Sequence, residues 1–232
     1  MKLRIAETFV SIQGEGVWAG TPSTFIRISG CNLRCIWCDT KYASWWPEGE
    51  VRDVKDVIVE ALATSPKHIV ITGGEPMLFD GVVTVANELA SAGRILTVET
   101  AGTIYRDIAC HLMSVSPKLR NSSPAEGTPE LKMHEKSRLN IPVLQKLVKS
   151  YPDHQLKFVV NPDQGLDDLD EISCLLDEIG NVDPSRVLLM PEGTDSSTLH
   201  RRAAALAESC VKFGYGLSPR LHIDLYGNQR GV

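Results

Sequence analysis

Three thiols fall within eight residues at Cys31-Asn32-Leu33-Arg34-Cys35-Ile36-Trp37-Cys38, a C-x3-C-x2-C spacing directly after an apolar run. Thiolates are soft ligands, so this spacing suits a metal ion or a metal cluster. A structural zinc site takes four ligands at paired spacings, and no second C-x2-C or H-x3-H pair accompanies this one. A four-iron four-sulfur cube fits better, because one short loop can wrap three irons. The fourth iron then lacks a protein thiolate, which suits chemistry better than electron storage, by analogy with open positions in catalytic metal sites. The other cysteines, Cys110, Cys174 and Cys210, sit in apolar contexts and are expected to be buried small hydrophobes.

Such a loop has to be held by regular elements. Short apolar runs at 24–28, 68–72, 95–99, 112–116, 156–160 and 187–190 read as strands. Between them, Val54, Val57, Ile58, Ala61 and Leu62 follow a helical period. So do Val82, Val85, Ala86, Leu89 and Ala90 ahead of a stop at Gly93. Residues 167–179 and 197–212 add two further helical patterns. This alternation predicts an α/β fold with a parallel sheet, and right-handed crossovers gather the loops after the strands on one rim. The polar residues at strand ends fit that rim: Thr72-Gly73-Gly74-Glu75, Glu99-Thr100, Ser116-Pro117-Lys118 and Met190-Pro191-Glu192-Gly193. Residues 121–130, with two prolines and several small polar residues, read as a loop or partly disordered excursion. No strong linker divides the chain, so residues 1–232 are expected to form a single domain.

Composition removes several classes. At 232 residues the chain can bury a core without disulfide staples, and its hydrophobic content of 43% with 23% charged residues is ordinary for a globular protein. No secretory signal is evident and no apolar run is long enough to span a membrane, so a reducing, cytoplasmic setting without a membrane partner is expected. A net charge of -5 argues against direct binding of nucleic acid.

The cysteine loop resembles that of the radical S-adenosylmethionine superfamily, and Ile71-Thr72-Gly73-Gly74-Glu75-Pro76 resembles that superfamily's second motif. The resemblance implies a partial (β/α)6-type barrel, shortened here, and a [4Fe-4S] cluster on Cys31, Cys35 and Cys38. S-adenosylmethionine would chelate the open iron and yield a 5'-deoxyadenosyl radical on reduction. Taken alone, G-G-E-P is equally a turn with a proline stop. In its favour, glycines let a ligand approach the backbone closely, and Glu75 can accept from the cofactor's ammonium group. The chain also resembles 7-carboxy-7-deazaguanine synthases, through Gln13-Gly14-Glu15-Gly16, Arg27, Cys38-Asp39-Thr40, Thr72, Ser116-Pro117-Lys118 and the Arg230-Gly231-Val232 end. These enzymes form 7-carboxy-7-deazaguanine from 6-carboxy-5,6,7,8-tetrahydropterin with loss of ammonia, toward queuosine and related 7-deazapurines.

That second resemblance implies roles for individual residues. Substrate contacts fall on Ile12, Gln13, Gly14, Arg27 and Thr72. Cofactor contacts fall on Trp37, Cys38, Asp39, Gly74 and Glu75, on Ser116, Pro117 and Lys118, and on Met190, Pro191, Glu192 and Gly193. Thr40 is implied as a ligand of Mg2+, which would also hold the substrate carboxylate. Read physically, Arg27 offers a planar fork for a carboxylate, or else an ion pair with Glu15 or Asp39. Ile12 to Gly14 present amide groups to a pterin edge or form a tight turn, and the Thr40 hydroxyl binds metal or caps the loop. A homodimer and an electron donor of the flavodoxin or ferredoxin kind are implied as partners. The alternatives are a glycyl-radical enzyme activase, which shares the cysteine spacing, and a non-catalytic zinc or electron-transfer module.

Overall fold

The computed structural model describes residues 1–165 and 167–232. Apart from a two-residue strand at one edge, six strands run parallel: β2 (Pro22–Ile28), β4 (His68–Gly73), β5 (Ile95–Thr100), β6 (Leu112–Val115), β7 (His154–Val160) and β8 (Val187–Pro191). They are the six apolar runs read from the sequence, and their near-continuous burial is what a sheet covered on both faces demands. Among the described residues the sheet has nine strands in the order β3-β1-β2-β4-β5-β6-β7-β8-β9. Its outer members are β1 (Lys2–Ile12), antiparallel to both β2 and β3 (Glu50–Asp53), and the short β9 (Gly216–Leu217). The sheet curls without closing, as a partial barrel does. Neither β1 nor β3 was expected, since β1 mixes Arg4, Glu7 and Thr8 into its apolar residues.

The helices cover the outer face. On α2 (Val54–Ala63), Val54, Val57 and Ala61 are buried, and on α3 (Asp80–Ser91), Val82, Val85, Ala86 and Leu89 are buried. This is the stripe anticipated from periodicity, and Gly93 turns the chain out of α3 at φ +77°. The patterns at 167–179 and 197–212 are α6 (Asp167–Ile179) and α7 (Ser196–Phe213). Together these helices and the sheet enclose one apolar core that includes Ile26, Ile71, Leu89, Met113, Phe158 and Leu189.

Two expectations need correcting. Residues 121–130 are a loop only over 123–128: a 3-10 turn spans Arg120–Ser122, Ser122 is fully buried, and α4 starts at Pro129. Thr128 caps α4 (Pro129–Ser137) by accepting from the Leu131 N–H, and Asn140 caps α5 (Ile141–Ser150) by accepting from Val143 N–H. Each cap is followed by a first-turn proline, a start signal that the small polar residues obscured. Secondly, Cys174 is exposed on α6, whereas Cys210 is buried and Cys110 partly so. Beyond the last strand the chain forms α8 (Leu221–Tyr226). All six cysteines are free thiols. Among the described residues no helix is long and apolar enough to cross a membrane.

Backbone contact limits what can stand where β4 meets β2. Gly73 has φ +130°, and a Cβ placed there would lie 2.0 Å from the Ile28 carbonyl oxygen. Gly73→Ala is therefore expected to destabilise the apoprotein by about 3 kcal/mol or more, measured by urea unfolding. A loss under about 1 kcal/mol would show that the strands can part without cost.

Candidate active site

A cleft of about 440 Å³ opens at the C-terminal ends of the parallel strands. Arg27 on β2, Thr72 on β4, Glu99 on β5, Val159 on β7 and Met190 on β8 all reach it, with Ser116 just past β6. The rim predicted from strand-end residues is thus a single site. Each of the residues assigned to substrate, cofactor or metal from the sequence lines this cleft except Glu75 and Pro117.

Cys31, Cys35 and Cys38 occupy one wall, on a loop packed as its own small apolar cluster with Leu33, Trp37 and Ala101. Burial pushes both the Cys31 and Cys35 thiols up to about 12, so a cation must accompany them if they are to ionise near neutrality. The Leu33 N–H donates to Cys31 Sγ at 3.3 Å, and the Ser44 hydroxyl, which donates to the Thr40 carbonyl, lies 3.1 Å from Cys38 Sγ. Among the described residues no three Cys, His, Asp or Glu side chains converge to hold one metal ion. Three thiols spread along one wall fit a cluster that takes each on a separate iron better than they fit mononuclear zinc.

In the same cleft, Arg27 donates through Nε to Glu7 Oε1 at 2.7 Å, and its guanidinium lies 5.6 Å from the Phe9 ring centre. Neither Glu15 nor Asp39 is its ion-pair partner. Among the described residues the Arg27 Nη donors carry no hydrogen bond, which leaves that edge for a ligand carboxylate. Tyr42 donates to the same Glu7 oxygen at 2.5 Å and fixes the pair. Thr72 Oγ1 donates to Glu99 Oε2 at 2.7 Å and Gln13 Nε2 donates to Glu99 Oε1 at 3.2 Å. The Gln13 amide oxygen accepts from the Glu15 N–H, and its backbone is paired to Gly20 and Thr21. Gln13 is therefore mostly engaged within the protein, and Glu99, noted from the sequence only as a rim residue, is the acceptor exposed beside it.

Four charged side chains meet in the cleft lining, with Lys157 and Arg220 buried, Glu15 partly so and Asp39 the most exposed. Glu15 binds the Lys157 ammonium and lies 3.2 Å from Arg220 Nε, while Arg220 also donates to Asp39 and to the Gly193 carbonyl. Burial works to raise the Glu15 carboxyl, but Lys157 and Arg220, then His222, hold it well below the ordinary carboxylate range. Asp39 is likewise penalised by burial yet held low by Arg220. Sequence reading missed Arg220, Lys157 and His222, which carry no motif and lie far from the thiols along the chain. His222 packs so closely on the turn after β1 that a Cβ on Gly14 would overlap its ring.

The remaining assigned residues divide between lining and support. Glu75 is fully buried, and its carboxylate accepts from Thr100 Oγ1 at 2.7 Å, Ala101 N at 2.8 Å and Met77 N at 3.0 Å. It braces the loop beside the cleft and is not among the residues that line it. A Cβ on Gly74 would lie 2.1 Å from the Gly30 carbonyl oxygen, so that glycine is required by the backbone preceding Cys31. Lys118 Nζ donates to the Ser116 hydroxyl at 2.7 Å and carbonyl at 2.9 Å, and rests 5.6 Å from the Trp37 ring centre. Glu192 is drawn to Arg202 and Asn161. Thr40 begins the short α1 (Lys41–Ser44) without capping it, so its hydroxyl is not occupied as a cap.

A model of the radical SAM superfamily matches residues 25–173, and the chain belongs to that superfamily. It is a radical SAM enzyme, with a [4Fe-4S] cluster and S-adenosylmethionine as cofactors. The chain is 43% identical to a 7-carboxy-7-deazaguanine synthase of Rhodopirellula baltica, over 99% of this chain and 89% of that protein. It is also 43% identical to one of Halobacterium salinarum, over 97% of this chain and 91% of that one. The crystal structure of QueE from Escherichia coli is similar at a TM-score of 0.64 and 25% identity, covering 96% of this chain and 95% of that one. Within the superfamily, the chain belongs to the 7-carboxy-7-deazaguanine synthase family.

The buried charges make a separate prediction. Glu15→Gln strands Lys157, only 6% exposed, without its counter-charge, and should cost about 3 kcal/mol at neutral pH. Because the folded-state pKa of Glu15 is depressed, its contribution is complete above the unfolded value of roughly 4.3 and fades as pH falls below it. Urea unfolding of the two apoproteins should therefore converge in acid, and a gap that does not narrow would refute the assignment.

Proposed function

We propose that this chain converts 6-carboxy-5,6,7,8-tetrahydropterin to 7-carboxy-7-deazaguanine with loss of ammonia, acting as one domain over residues 1–232. The observation that carries the reading is the free Nη edge of Arg27 facing the same cleft as the three thiols. A [4Fe-4S] cluster on Cys31, Cys35 and Cys38, with S-adenosylmethionine bound, supplies a carbon-centred oxidant for hydrogen abstraction when reduced. The protein's own share is placement. Arg27 grips the substrate carboxylate, held in orientation by Glu7 and Phe9. Thr72 and Gln13, both bound to Glu99, present that carboxylate to the donor edge of a pterin, together with backbone from Ile12 to Gly14.

On the cofactor side, Trp37, Cys38, Asp39, Gly74, Ser116, Lys118 and Met190 to Gly193, all in the cleft lining, hold S-adenosylmethionine. Glu75 acts through the loop it braces. Thr40, whose hydroxyl is uncommitted as a cap, offers an oxygen ligand to Mg2+ shared with substrate. A homodimer in the cytoplasm, reduced by a flavodoxin or ferredoxin, completes the proposal. The activase alternative finds less support, since a carboxylate-binding arginine inside a cleft suits a small molecule better than a protein partner.

Anaerobically reconstituted protein, given reductant, Mg2+, S-adenosylmethionine and carboxytetrahydropterin, is expected to form the deazapurine with S-adenosylmethionine recovered. Deoxyadenosine accumulating without deazapurine would overturn the assignment. Arg27→Lys keeps the charge but loses the fork, and kcat/KM should drop about 100-fold at a bidentate site. Thr40→Ala should raise the Mg2+ concentration needed for half-maximal rate; an unchanged metal titration removes Thr40 as a ligand.

A further inference from the structure

The loop that carries Cys31, Cys35 and Cys38 has no regular secondary structure, so its backbone donors must find partners elsewhere. Two of them, joined by one side-chain donor, converge on one support outside the cleft. Arg34 N–H donates to His134 Nδ1 at 3.1 Å, Ile36 N–H to the Ser122 carbonyl at 2.9 Å, and Trp37 Nε1–H to Asn121 Oδ1 at 3.1 Å. The three donor residues lie between the thiols: Arg34 directly precedes Cys35, and Ile36 with Trp37 fill the gap to Cys38.

The support is itself braced. His134 on α4 and Ser122 in the 3-10 turn are both fully buried. Ser122 Oγ donates to the Leu119 carbonyl at 2.5 Å, so it accepts from His134 Nε2–H at 2.9 Å. That bond fixes the tautomer and leaves the Nδ1 lone pair for Arg34. Burial pushes the His134 imidazole down to about 4, which keeps it neutral under ordinary conditions. Asn121 donates to the Val159 carbonyl at 2.9 Å and to Asp168 Oδ2 at 2.8 Å, which ties the turn to β7 and α6. Arg138 at the end of α4 donates to the Lys118 carbonyl at 3.0 Å and to Glu171 at 2.8 Å. No observation gives His134, Ser122 or Asn121 a place in the cleft lining.

We infer that His134 is a positioning residue for the iron–sulfur loop: by accepting from the Arg34 amide it fixes, with the Asn121–Ser122 turn, the backbone between the thiolates and so governs how firmly the cluster is held. The role rests on Cys31, Cys35 and Cys38 being the cluster ligands. It requires no contact between His134 and substrate or cofactor.

The test compares wild type with His134→Leu, which fills the space but cannot accept, and His134→Asn, whose Oδ1 can stand near the Nδ1 position. Two readouts are needed. In the reconstituted proteins, held anaerobically with an iron chelator, His134→Leu should lose its cluster about tenfold faster and His134→Asn within about twofold of wild type. In the apoproteins, hydrogen exchange at the Arg34 amide should speed up in His134→Leu and stay slow in His134→Asn. Equal rates for His134→Leu and wild type, or no rescue by His134→Asn, would overturn the inference. Should His134→Leu fail to fold, Asn121→Ala carries the test: cluster loss several-fold faster supports the clamp, and an unchanged rate refutes it. A wild-type protein that takes up no four-iron cluster would instead refute the cysteine assignment, with the exchange experiment still deciding whether His134 holds the loop.

Discussion

A guanidinium almost without water around it ties the site together. Arg220 is 8% exposed and reaches Glu15 on the turn after β1, Asp39 just past the third cysteine, and the Gly193 carbonyl past β8. Those three segments belong to opposite sides of an unclosed sheet. A cation so placed must be neutralised to be tolerated, so both carboxylates are obliged to stay ionised and close. The cleft keeps its width because this charge cannot be solvated any other way. Lys157 repeats the demand from β7 and leaves Glu15 with two cations to satisfy.

The thiol loop obeys a different constraint, that of backbone groups that need partners. Beneath it, Gly73 and Gly74 permit main chain to pass within van der Waals range of Ile28 and Gly30. Glu75 then spends both carboxylate oxygens on Thr100, Ala101 and Met77, so the loop rests on a hydrogen-bonded base. The turn at Asn121 and Ser122, with His134, holds it from the side. Glu75, Asn121, Ser122 and His134 thus position the loop from outside the cleft lining.

How much of this was legible in the sequence follows from range along the chain. The six parallel strands and the helices α2, α3, α6 and α7 were readable because burial on both faces, or along one stripe, writes a local pattern. The thiols, Arg27 and the strand-end residues were readable because they fall in short motifs or at fixed places on the rim. The hydrogen bonds of Glu75 to Thr100, Ala101 and Met77 were not legible, since a carboxylate next to two glycines looks the same whether it faces ligand or backbone. Arg220 and Lys157 lie 205 and 142 residues from Glu15, and no local pattern encodes such a meeting. The α4–α5 region was passed over because helix caps are built from the same Thr, Asn and Pro residues that make loops.

An unclosed sheet leaves two edges, and each is a template on which another chain could add a strand. Here the outermost members are β3, four residues of sequence Glu-Val-Arg-Asp, and β9, only two residues long. A strand that short offers little ladder to a newcomer, and the alternating charges of β3 disfavour pairing with a copy of itself. Leaving the barrel open gives the cleft its access, while the brevity of the edges guards the folded protein against edge-to-edge aggregation.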